Sequence, residues 1–174
     1  MAKLGRPKIG DYPFFYETYI KLVTEDDLNK TLRQNTKEIL DFINKNLAKD
    51  WSYRYEELKW TPKEMLLHII DTERIMSYRA LCTSRGDRTH LPGFDQKGYV
   101  ENSDCTKRSV ASLVAEFKSV RNASISLFKN MSRKEADRVG YANAQNITAK
   151  ALGYILVGHP RHHMQVLIEK YHFE

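Results

Sequence analysis

Apolar residues recur at helical spacing in four separated stretches of this chain, and strand-like alternation is absent. Leu28, Leu32, Ile39, Phe42 and Ile43 predict a first helix over about 27–47. A second spans 62–84, where Met65, His68, Ile69, Thr72 and Met76 share one face. Its start is written in Thr61-Pro62-Lys63-Glu64: a capping threonine, proline at the first helical position and glutamate at the third. Gly86 ends it. Val110, Leu113, Val114, Phe117, Val120, Leu127 and Phe128 mark a third helix over about 107–131. A short one begins at Ser132, which repeats the capping pattern with Glu135. Leu152, Ile155, Leu156, His159, His163, Val166 and Leu167 form the stripe of a fourth long helix starting near 148.

A helix that buries one stripe needs partners for it, and four such helices close on one another as a four-helix bundle. The expected fold is therefore all-α. Residues 86–106, rich in Gly, Pro and Asp, form the long crossover between the second and third helices and can line a pocket. Residues 49–59 read as a polar loop. Residues 1–26 read as an irregular arm that packs through Tyr12, Phe14, Phe15, Tyr16 and Tyr19, leaving 27–174 as the bundle domain.

Composition changes this picture little. At 174 residues, with 41% hydrophobic and 29% charged, the chain fits one soluble domain. No stretch reaches the ~20 apolar residues of a membrane span, and the basic start lacks the apolar run of a secretory signal. A cytoplasmic protein with Cys82 and Cys105 as free thiols is expected. The net charge of +6 raises nucleic acid as a partner, but the cations are scattered among 22 acidic residues with no basic run. A solvated basic surface, or attraction for a small anionic substrate, fits better.

The candidate chemistry lies in three histidines. His159 and His163 are four residues apart, one turn along the same face, and His68 lies on the core stripe of another helix. Three imidazoles from facing helices make a metal site with room for water or substrate, whereas structural zinc is usually closed by four protein ligands. An isolated pair of this spacing recurs by chance, so ordinary buried histidines bonded to backbone or tyrosine compete with this reading. His162 lies about 60° round the helix from His159 and reads as a boundary residue.

The strings WTPKEMLLHIIDTERIMSYRALCTSRGD, LPGFDQKGYV and ALGYILVGHPRHHMQVLIEKY resemble the DinB/YfiT-like superfamily of metal-dependent enzymes over residues 27–172. The resemblance implies a four-helix bundle, often a homodimer. It implies a divalent metal, zinc or nickel, on His68, His159 and His163, and a small-molecule substrate. Some members transfer groups to low-molecular-weight thiols such as bacillithiol, so thiol transfer and hydrolysis are both expected reaction classes. A non-catalytic metal-binding or damage-response interaction protein is the alternative.

Four further residues bear on the site. Asp71, one turn from His68, is the candidate to orient water or act as a general base, against a plain salt-bridge role. Glu73, roughly opposite His68, is expected at solvent or an interface, and Arg161 away from the ligand face. Pro160 lies between the two C-terminal histidines, where its missing N–H should free the carbonyl of Leu156 and kink the helix.

Overall fold

The computed structural model describes residues 4–174; the first three residues of the expected arm lie outside the described residues. The chain begins with a 3-10 turn at Phe14–Tyr16 and the short helix α1 (Glu17–Ile20). The bundle consists of α2 (Leu28–Lys45), α3 (Pro62–Arg85), α5 (Val110–Lys129) and α7 (Ala149–Tyr171). Between them lie β1 (His90–Leu91), α4 (Gln96–Glu101), a 3-10 turn at Cys105–Lys107, α6 (Arg133–Ala136), β2 (Val139–Ala142) and β3 (Gln145–Thr148). No helix among the described residues is long and apolar enough to cross a membrane.

The four long helices form the expected bundle. Helix α3 packs on α5 and α7, and α2 packs on the same two. Chain neighbours α2 and α3 therefore face each other across the diagonal, which a simple up-and-down order would not give. The caps follow the sequence. Thr61 Oγ1 accepts from the Glu64 amide at 3.2 Å, and the Glu64 carboxylate accepts from the Thr61 amide at 2.7 Å. Gly86 closes α3 in the left-handed conformation, φ 77°.

The expectation of no strands is corrected. A small three-stranded sheet, order β1-β2-β3, joins the crossover to the segment before α7. β1 pairs parallel with β2, and β2 antiparallel with β3. Asn143 and Ala144 turn the hairpin at φ 51° and 58°, the pair of left-handed residues a tight two-residue turn requires. Alanine in the glycine position hid that turn. The segment is also too short to show periodicity.

The arm is part of the core. Leu4, Tyr16, Ile20 and Val23 are buried with residues of α2 and α7. Helix α1 lies so close to α7 that a side-chain carbon at Gly158 would collide with the Tyr19 backbone. Arg161 fastens the same edge, donating to the Leu22 carbonyl at 3.0 Å and pairing with Glu25 and Glu38 at 2.7 and 3.1 Å.

Helix α7 runs from Ala149 to Tyr171 with Pro160, where a kink is expected, inside it. The Leu156 carbonyl that proline frees accepts from Arg121 Nη2 at 3.0 Å. Arg121 is fully buried. It also grips Glu73 with two bonds of 2.7 and 2.8 Å, the Asn35 side chain at 2.9 Å and the Leu32 carbonyl at 3.4 Å. One guanidinium, carried by α5, thus ties that helix to the other three long helices with its five donors used. Glu73 is therefore buried in an ion pair and does not face solvent, which corrects the sequence expectation.

Candidate metal centre

His68 is delivered by the middle of α3, and His159 and His163 by adjacent turns of α7. The Nε2 atoms of His68 and His159 lie 3.0 Å apart, as do those of His163 and His159. One ligand atom from each ring falls within 4.8 Å of the others, and no other histidine, cysteine or carboxylate among the described residues joins the group. His68 and His159 are buried, and His163 is partly so.

Protons alone do not satisfy this arrangement. His159 Nε2 faces two nitrogens, but a neutral ring nitrogen carries one hydrogen or one lone pair. One close contact is therefore left without a good hydrogen bond. His163 Nδ1 is likewise buried with no partner. Three lone pairs aimed at one point fit a cation. Burial pushes the His68 imidazolium down to about 4. Burial, then repulsion from the neighbouring histidines, pushes His159 and His163 well below the ordinary value. The rings are therefore neutral near pH 7, the protonation state a metal needs.

The surroundings hold the rings in place. Thr72 Oγ1 lies 3.5 Å from His68 Nδ1, a weak contact at the edge of hydrogen-bond range. Trp60 stacks obliquely on His68, with centroids 4.7 Å apart. Tyr19 of the arm meets His159 edge-on at 5.2 Å and His162 at 5.4 Å. Two clefts approach the group. One, of about 290 Å³, reaches His159 and Thr72 under the arm. The other, of about 360 Å³, reaches His163 past Trp60. Gln96 of the crossover borders both.

Asp71 is not brought to this point. Its carboxylate lies 3.5 Å from Arg74, whose guanidinium pairs with Glu116 of α5 at 2.7 Å. Burial pushes the Asp71 carboxyl up while Arg74 pulls it down. The physical reason is angular. Position 71 is rotated about 60° from position 68 on the side facing α5, while Thr72 is rotated about 40° the other way, toward the histidines of α7. Tyr19 and Trp60 were not singled out as site residues, because both reach the centre from outside the bundle helices. Arg79, which lines the cleft reaching His159, was missed too, although eleven residues from His68 returns within about 20° of the same face.

A family model described as the DinB superfamily matches residues 23–167. Among solved structures, the chain is similar to YfiT from Bacillus subtilis, described as a probable metal-dependent hydrolase with an unusual four-helix bundle topology. The two share 16% identity and a TM-score of 0.71, over 99% of this chain and 100% of that one. No curated protein matches.

Proposed function

This chain belongs to the DinB superfamily, and from that premise we propose that it is a divalent-metal-dependent enzyme whose ion is held by His68, His159 and His163. The observation that carries the reading is the meeting of three ring nitrogens that protons alone cannot satisfy. With no fourth protein donor in the group among the described residues, the set resembles an open catalytic site more than a closed structural one. That favours an enzyme over a non-catalytic metal-binding protein. A divalent ion there supplies Lewis acidity, lowering the pKa of water or a thiol or polarising a carbonyl.

The residues of the chain supply the rest. The neutral imidazoles leave the charge of the site to the cation, and Thr72 steadies the His68 ring. Trp60 and Tyr19 cover part of the centre and narrow the two clefts that reach it, which lowers its exposure to water and strengthens polar interactions there. Hydrolysis, the activity described as probable for YfiT, and thiol transfer can both use such a site. Asp71 is left out of the machinery because its carboxylate sits in the Arg74–Glu116 charge group.

Untagged protein should carry about one zinc or nickel ion per chain by elemental analysis, the stoichiometry of a single three-histidine site. His159→Ala should lose it. Ester, amide and thiol-transfer substrates screened with both forms then separate the reaction classes. Wild-type protein that takes up no divalent ion refutes the reading.

A further inference from the structure

The cleft that reaches His159 beneath the arm is lined mainly by aromatic, apolar and neutral polar side chains, among them Phe15, Tyr19, Met76 and Phe94. Among the described residues it has one fully charged lining residue, Arg79, and no carboxylate. Arg79 is 3% exposed. It donates to the Pro92 carbonyl at 2.6 Å and lies 3.7 Å from the Met76 sulfur, a poor acceptor. Among the described residues no carboxylate reaches it within ion-pair distance. The Tyr16 phenol stands beside it, and burial keeps that phenol protonated. The contrast is with Arg121, whose five donors are all used and whose charge is matched by Glu73. A buried guanidinium without a counter-ion is costly unless something binds it. Here it borders open space that leads to the histidines.

We propose that this cleft binds an elongated organic anion, with a carboxylate or phosphate head seated on Arg79 and an apolar body lying along Met76 and Phe94. His68, Thr72, Met76 and Arg79 rise along one face of α3, so Arg79 stands about 16 Å along the axis from His68. The ligand therefore spans from the charge at one end to the histidine centre at the other. Its far end is the reacting one, which rests on the metal-centre reading. The anion subsite itself does not. Arg79 is a specificity residue that holds the head group, and its fork of donors suits two oxygens of one oxyanion.

The test uses chelator-treated full-length protein, so its outcome is independent of any metal. Hexanoate, hexyl phosphate and hexanamide are titrated calorimetrically into wild type and into Arg79→Met, whose side chain keeps the apolar stem. At least one of the two anions should bind wild type about ten-fold more tightly than the amide, the value of one charge-assisted contact. Whichever does so identifies the head group. Arg79→Met should erase that preference while keeping wild-type metal content. Failure of both anions to bind, equal binding of the amide, or an unchanged preference in Arg79→Met overturns the proposal. If Arg79→Met does not fold, the side-chain Nε–H resonance of Arg79 in wild type reads the same contact. It should move with the preferred anion and stay with hexanamide; a resonance unmoved by either anion overturns the proposal. Failure of the metal reading shows separately, as absence of metal from untreated wild type.

Discussion

Two polar groups are buried in neighbouring layers of the bundle, and they meet the cost of burial in opposite ways. The Glu73–Arg121 pair is closed: every guanidinium donor has an acceptor, and the acceptors come from the three long helices other than its own. The histidine trio is open: three ring nitrogens face one another and one ring nitrogen is orphaned. The two are linked through α7, because Arg121 takes the Leu156 carbonyl that Pro160 frees, one turn before His159. The difference separates structure from function. A saturated network rigidifies a core, whereas an unsaturated one waits for a ligand.

The closed region should be the costlier to break. Arg121→Met strands a buried carboxylate and should cost about 3–5 kcal/mol in urea unfolding. The double variant Arg121→Met/Glu73→Leu should recover more than half of that, since it removes both charges. A loss under about 1 kcal/mol for the single variant would show that the network does not hold the helices.

The open region should instead fail in acid. His68 titrates at about 4 in the folded, metal-free chain, against 6.5 when unfolded. A depressed folded-state value means that its contribution is complete above pH 6.5 and is lost as pH falls toward 4. Metal-free protein should lose up to about 3 kcal/mol across that window, and His68→Asn should remove part of the loss. A melting temperature flat from pH 6.5 to 4 would contradict this.

Gly158→Ala tests the cover of the trio without touching its ligands. The added methyl meets the Tyr19 backbone and should cost about 1–3 kcal/mol. Tyr19 should leave His159, seen as a changed tyrosine fluorescence. Wild-type stability would mean that the arm is held elsewhere. The smallest effect is expected at Thr72→Val, under about 1 kcal/mol, because its contact with His68 is long. It should weaken metal affinity about ten-fold, as loss of a partner to a ligand does; an unchanged affinity would remove Thr72 from the site.

These regions also differ in how far they could be read from sequence. The bundle and the three histidines were legible because periodicity and i, i+4 spacing are local signals. The Thr61–Glu64 cap was legible for the same reason. The Arg121 network was not, since its partners come from three other helices. Helix α3 is buried on several sides, so placing Glu73 opposite His68 did not place it in water. Asp71, read from sequence as one turn from His68, is rotated from it by about 60°, small on a helical wheel but enough to place its carboxylate beside Arg74 instead of in the histidine group. The freed Leu156 carbonyl was foreseen from Pro160; its acceptance by Arg121 required the fold.

The central claim is that the trio is an open, three-nitrogen metal site. X-ray absorption spectroscopy of untagged, zinc-loaded protein tests it most directly. It should show three imidazole nitrogens at about 2.0–2.1 Å and at least one light ligand that exchanges with added azide or cyanide. A sphere of four protein ligands that does not exchange, or zinc that is not bound through imidazole, would contradict it.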